Sequence, residues 1–382
     1  AYLRAQGATK EQWLAEELEL ESDDFLSPFP NVDGVKFLLH GLGCGGTRDD
    51  ANALCGLLAG YITHPNVSGA TVLSLGCQNA EVRILEQEIA KRDPSFDRPL
   101  HIHVQQKSPS EEAMISRALK EIFVGLDRIN RLERQPASLS KLVVGMECGG
   151  SDGFSGISAN PILGNVSDKL VTLGGTPILA EFPELCGVEG EIMNRCVSDS
   201  TAHRFEKLMN VYANRAEAVG SGFHANPSPG NIADGLITDA IKSAGAAKKG
   251  GTSPVVDVLD YPEQVANPGL NLLCTPGGDV ESTTALAGAG ANVIIFTTGL
   301  GTPTGNAITP TLKVATNSVL AKRMNDIIDF DSGPVIYGQK SIEAMGDELL
   351  DLVVRTASGD FTPAAVRLGQ DDFLPWKRGI SL

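Results

Sequence analysis

The chain has no run of about 18 apolar residues, so it is not expected to span a membrane. Its 31 basic residues are outnumbered by 47 acidic ones, a net charge of -16. Nucleic acid is therefore not an expected partner, because its phosphates would meet a like-charged surface. Seven cysteines make an odd set without compact spacing. This argues against a secreted disulfide framework and for a reducing, cytoplasmic setting. No apolar leader is visible in the first 30 residues, which are acidic. The chain begins at Ala1 rather than methionine and is read as a portion of something longer. Nucleotide fingerprints are missing too. Gly41-Leu42-Gly43-Cys44-Gly45-Gly46 is not a clean dinucleotide turn, and no phosphate-binding G-x-x-x-x-G-K-[ST] occurs.

What is abundant is glycine, 42 of 382 residues, against a usual share of roughly 7%. The glycines cluster at the ends of short apolar runs. The runs Val35–Leu39, Thr71–Leu75, Leu142–Met146, Pro177–Ala180, Leu272–Thr275, Asn292–Thr298 and Pro334–Tyr337 read as strands. Helix-period segments alternate with them: Asp49–Ile62, Glu81–Arg92, Ser110–Arg134, Thr201–Ala218, Asn231–Ala246 and Ser341–Arg355, after an acidic, helix-prone opening at Glu11–Asp24. This alternation predicts an α/β protein with two Rossmann-like parallel-sheet domains covered by helices, and a site at the strand carboxyl ends. Gln135-Pro136-Ala137-Ser138 marks the expected boundary, giving domains 1–138 and 139–382.

The strand-end loops carry the candidate chemistry. Cys44, Cys77, Cys148 and Cys274 follow strands, where a cysteine is either a thiolate ligand of iron or a small buried side chain; Cys44 and Cys148 have the richest loops. Acids Glu147, Asp152, Glu181 and Glu184 suit a divalent cation. His40 and His64 are the candidate acid–base histidines. His101 and His103 alternate on a possible strand, with at least one expected to point outward. Arg48, Lys242, Lys248 and Lys249 suit a substrate carboxylate, or, for the lysines, simply complement a helix C-terminus.

Several long stretches, in order, resemble the altronate/galactarate dehydratase family. They are His64-Pro65-Asn66-Val67, Leu75-Gly76-Cys77-Gln78-Asn79, Gly145 to Pro161, Asn226-Pro227-Ser228-Pro229-Gly230-Asn231, Phe296 to Pro303, and Pro375-Trp376-Lys377-Arg378-Gly379. The resemblance implies loss of water from a sugar acid: D-altronate would give 2-dehydro-3-deoxy-D-gluconate, with Fe2+ or Mn2+ as cofactor. For that chemistry, loop position and residue type place the metal first on Glu147, Cys148 and Asp152, with Cys44 next. His40 and His64 become catalytic. Arg48, Asn160, Asn226, Ser228, Asn231, Lys242, Thr298 and Thr302 become substrate-binding. Relatives carry a small β-rich N-terminal domain, sometimes as a separate small subunit. Since none is visible, the chain is expected to need that domain or subunit as a partner, and to form a homo-oligomer. A galactarate dehydratase and the large subunit of a sulfolactate sulfo-lyase are alternatives within the family. A non-catalytic sugar-acid-binding subunit is the alternative outside enzyme function.

Overall fold

The structure, a computed structural model, describes residues 28–382. The acidic opening at Glu11–Asp24 lies outside the described residues. Glycine-rich residues 41–46 lead into α1 (Arg48–Ile62), capped by the Thr47 side chain on the Asp50 N–H. Then come β1 (Ala70–Ser74), α2 (Val82–Arg92), β2 (Leu100–Val104) and α3 (Glu111–Ile129). β1 and β2 form a two-stranded parallel sheet.

The second part begins with β3 (Val143–Cys148), α4 (Ala159–Thr172) and β4 (Thr176–Leu179). Next are α5 (Glu189–Asn194), α6 (Asp199–Ala218), α7 (Pro229–Ala233), α8 (Asp239–Ala247), β5 (Val255–Leu259) and β6 (Leu270–Leu273). The chain closes with α9 (Asp279–Gly288), β7 (Val293–Thr298), β8 (Thr311–Ala315), α10 (Ser318–Arg323), β9 (Phe330–Asp331), α11 (Ile342–Ser358) and α12 (Ala364–Arg367). Its seven strands lie in the order β5-β6-β4-β3-β7-β8-β9, and all their pairings are parallel. β3 starts in the middle; the chain then adds strands on one side before returning at β7 on the other. Such a switch point leaves a crevice at the carboxyl ends. The α/β class and the parallel sheets are as the sequence implied.

Several element boundaries differ. Val35–Leu39 is not a strand: it runs unpaired among the described residues, with Phe37 74% and Leu39 80% exposed. Pro334–Tyr337 contains a 3-10 turn, Gly333–Val335, because the ring of Pro334 fixes φ and removes a donor. Asn231–Ala246 breaks into α7 and α8 around Gly235, at φ +102°. β5 and β8 escaped notice because Asp257 and Lys313 interrupt their apolar runs. His101 and His103 both face α3, each within 3.4 Å of the Glu121 carboxylate, since residues two apart share a strand face.

One large core lies on one face of the seven-stranded sheet, from Leu142 to Val353. On the other face α9, with all of Ser282 to Gly288 buried, packs against α1 through Leu57, Tyr61 and Leu286, with Leu259 of β5 in the same cluster. Their closest approach is at Gly60, where an added Cβ would stand 2.2 Å from the Gly288 carbonyl oxygen. Gly60→Ala is therefore expected to destabilise the protein by about 1–3 kcal/mol through overpacking, seen as a lower urea midpoint with an unchanged slope.

Candidate active site

Two strand ends and two helical segments converge on one buried cluster. β3 ends in Glu147-Cys148. Beyond β4, Glu181 sits at φ +66°, the sole non-glycine residue with positive φ among the described residues. A carboxylate side chain held in that region stores strain, a common mark of a functional position. The 3-10 turn that follows, Phe182–Leu185, brings Glu184 alongside. From the opposite side α8 supplies Lys242, and the 3-10 turn Lys248–Gly250 supplies Lys249. α4 lets that turn come close: a Cβ on Gly164 would lie 2.1 Å from the Lys248 carbonyl oxygen.

Lys249 is fully buried. Its Nζ donates to Glu181 Oε2 at 2.8 Å and to Cys148 Sγ at 2.9 Å, and lies 3.6 Å from Glu184 Oε2. Lys242 pairs with the other Glu184 oxygen at 2.9 Å and donates to Asn226 Oδ1 at 2.5 Å. Glu147 Oε2 accepts from the Ser282 hydroxyl at 2.6 Å. A pocket of about 210 Å3 opens onto this cluster, lined by Cys148, Ser151, Ser155, Asn160 and Lys242 among others.

Burial raises all three acids, and neighbouring charges then separate them. Glu147 is pushed well above the carboxylate range by burial and by the field of Glu181. Glu181 is raised to about 7, burial and Glu184 outweighing Lys249. In Glu184 burial is overcome by Lys249 and Lys242, so it lies below its ordinary value and is ionised. Burial and the charge of Glu184 keep Cys148 a thiol. Burial opposes the charge on Lys249, but its acidic neighbours win.

Among the described residues, two trios of donors are close enough to share an ion: Cys148, Glu181 and Glu184, and Glu147, Glu181 and Asp279. The Lys249 ammonium already contacts all three donors of the first trio. In the second, the Glu147 and Glu181 carboxyls hydrogen-bond to each other, and their Oε1 atoms have no other partner. Two buried carboxyls that share a proton form a place a cation can take over, and an all-oxygen set suits a hard divalent cation. The second trio therefore fits such a metal.

Of the residues singled out from sequence, Glu147, Cys148, Glu181, Glu184, Lys242, Lys249, Asn160 and Asn226 gather at this cluster and its pocket. Asn160 also accepts from Thr297 Oγ1 and donates to the Gly245 carbonyl. Asn231 and Ser228 form the reciprocal cap of α7, with Asn231 donating to the Ser151 carbonyl. Thr298 Oγ1 accepts from the Gly301 and Thr302 N–H groups, shaping the loop after β7. Asp152 accepts from Ser155, Thr316 and Asn317, tying its loop to the end of β8. Elsewhere, Cys44 is exposed, and Arg48 bonds Glu81 and the Asn79 carbonyl. His40 is also exposed, its Nδ1 accepting from the Leu42 N–H. His64 is buried; its Nε2 meets the Ala291 carbonyl at 2.9 Å and its Nδ1 accepts from the Asn66 N–H. Burial pulls it down to about 4, a neutral ring with both nitrogens engaged by backbone.

Sequence reasoning passed over Asp279 and Lys313. Lys313 is fully buried, its Nζ 3.5 Å from the centre of the Phe296 ring and without a hydrogen-bond partner. Burial pulls it down to about 7 against the fields of Asp279 and Asp329.

Two family profiles match the chain: "D-galactarate dehydratase/Altronate hydrolase, second domain" over residues 6–130, and "D-galactarate/Altronate dehydratase, C-terminal" over residues 139–381. The chain belongs to the D-galactarate/altronate dehydratase family. It is 39% identical over 338 residues to the altronate dehydratase of Escherichia coli (strain K12), covering 87% of this chain and 65% of that protein. Identity to the altronate dehydratase of Bacillus subtilis (strain 168) is 38% over 360 residues, 94% of this chain and 70% of the relative. The (2R)-sulfolactate sulfo-lyase subunit beta of Chromohalobacter salexigens is 34% identical over 248 residues, 64% of each chain. This chain thus spans roughly two thirds of these relatives' lengths, 65%, 70% and 64% in turn.

Two outcomes follow. Lys249→Met, which leaves buried acids without their cation, is expected to cost about 3–5 kcal/mol, measured by urea unfolding. Lys313→Met should do the opposite at neutral pH. The depressed value of Lys313 means that its burial cost is full below about pH 7 and shrinks as pH rises towards 10.5. The gain in melting temperature of Lys313→Met over the parent should accordingly be larger at pH 7 than at pH 9.5.

Proposed function

We propose that this chain is the main catalytic portion of a cytoplasmic sugar-acid dehydratase, acting on D-altronate to give 2-dehydro-3-deoxy-D-gluconate and water. The observation that carries the reading is the buried strand-end cluster of Glu147, Glu181, Glu184, Lys242 and Lys249, in a chain 38–39% identical to two altronate dehydratases. The division into domains 1–138 and 139–382 is part of the same proposal, with a small N-terminal domain or separate subunit completing the site. The sulfo-lyase relative is itself named as a subunit, which supports the partner.

The chemistry needs a proton removed from C2, beside a carboxylate, and a hydroxyl expelled from C3. Lys242 and Asn226, joined to each other beside the pocket, bind the substrate carboxylate and adjacent hydroxyl. Asn160 and Ser151 line the same pocket and hold the remaining hydroxyls. Glu184, kept ionised by two lysines, takes the C2 proton. Lys242, 2.9 Å from it, protonates the departing 3-hydroxyl, which leaves as water. Glu184 then returns its proton to Lys242, and the enol left on the substrate tautomerises to the 2-keto acid. Glu147, Glu181 and Asp279 would hold an Fe2+ or Mn2+ ion. When bound, such an ion supplies Lewis-acid stabilisation of negative charge on substrate oxygens.

The test is an anaerobic assay with altronate, galactarate and sulfolactate after addition of Fe2+ or Mn2+, on the chain alone and together with its N-terminal domain. Altronate is expected to be turned over, and Glu184→Gln to lose at least about 100-fold in kcat with its metal content retained. Turnover of galactarate alone, or sulfite release from sulfolactate, would move the chain to that activity. No turnover of any of the three would refute the enzyme reading.

A further inference from the structure

The remaining buried charge without a role is Lys313. Pairing across the sheet aligns Lys313 on β8 with Phe296 on β7, and Phe296 with Glu147 on β3. Residues in register on neighbouring strands share a sheet face, so Glu147, Phe296 and Lys313 form one row on the side covered by α9. The lysine stem leans over the ring, leaving its Nζ 3.5 Å from the ring centre. At the far end of the same ring, a Cβ on Gly149 would meet Phe296 Cζ at 2.5 Å and Asp279 Oδ2 at 2.2 Å. The ring tip and the Asp279 carboxylate are therefore neighbours.

The fields of four acids, Asp279, Asp329, Asp372 and Glu147, act on this ammonium. Asp329 is engaged by the N–H groups of Lys313 and Ala364, and Asp372 by that of Gly305. Neither pairs with the ammonium, whose Nζ makes no hydrogen bond. The two others, Glu147 and Asp279, belong with Glu181 to the trio close enough to share an ion. A buried cation that pairs with nothing yet lies in the field of these acids acts on whatever else they bind.

We infer that Lys313 is the resident counter-charge of the Glu147–Glu181–Asp279 trio, and that it weakens the trio's hold on a divalent cation by like-charge repulsion across the Phe296 ring. Lys313 is thus a positioning residue. It keeps the empty trio electrostatically balanced and sets how readily the cation enters and leaves. The inference rests on the reading of this trio as the cation site. A lysine serving only to prop the Phe296 ring would affect stability and leave cation affinity unchanged.

Mn2+ binding, followed by calorimetry and by the electron paramagnetic resonance signal of free Mn2+, separates these cases without any activity assay. Titrations of the parent protein, Lys313→Met, Lys313→Gln and Glu181→Gln share one buffer at pH 6.5, with folding checked by circular dichroism. Two unit-charge steps removed at several ångströms, in a site of effective dielectric near 20, translate into at least about tenfold tighter Mn2+ binding in both neutral variants. Glu181→Gln should lose binding. Parent-like affinity in both Lys313 variants, with binding lost in Glu181→Gln, would overturn the role of Lys313 while leaving the trio in place. Absent Mn2+ binding in the parent, or binding indifferent to Glu181→Gln, would overturn the trio and the inference with it.

Discussion

One ammonium organises the site. Lys249 is wholly enclosed and is shared by Glu181, Glu184 and Cys148. A charge withdrawn from water is tolerated only when it is paired and hydrogen-bonded, so the strand-end loops are bound to meet at this point. That requirement accounts for the close passage of α4 over the Lys248 carbonyl at Gly164 and for the left-handed backbone of Glu181. It also grades the acids. Glu184, with two lysines, is held below its ordinary value; Glu181, with one, is raised to about 7; Glu147, with a serine and an acid for company, is pushed well above the carboxylate range.

The sheet explains why three acids occupy so small a space. Strands β4, β3 and β7 are adjacent and parallel, so their carboxyl ends, and the loops that must follow, open on one edge. Beyond the strand ends, the site draws on two short 3-10 turns, Lys242 of α8 and the first residues of α9. Sugar-acid dehydration demands a base, an acid and a place for developing charge within a few ångströms. The cluster supplies ionised Glu184, Lys242 and the oxygens of the second trio in that span. The second row of the same edge, through Phe296 to Lys313, adds a charge that no loop motif would reveal.

Much of this was legible in the sequence, for physical reasons that also mark where it failed. Apolar runs ending in glycine loops gave parallel strands with chemistry at their ends, and Glu147, Cys148, Lys242 and Asn226 do meet there. Loop position alone could not tell a ligand from a cap. Asp152 and Ser228 have the residue types of ligands, yet in the fold they hold Ser155, Thr316 and the first turn of α7. His64 looked reactive, and its buried ring is spent on two backbone groups. Lys313 was invisible because a lysine within a short apolar segment reads as a break or an exposed position, and only the strand register shows it turned inward. Val35–Leu39 had the composition of a strand but lies unpaired among the described residues.

The central claim is that Lys249 fills the thiol-containing trio and so directs a divalent cation to Glu147, Glu181 and Asp279. Anomalous difference maps from crystals soaked in Mn2+ test it most directly. The account predicts one peak bonded to oxygens of those three residues, with Lys249 still beside Cys148 and Glu184. A peak bonded to Cys148 and Glu184 with Lys249 displaced, or no peak in the cluster at all, would contradict it.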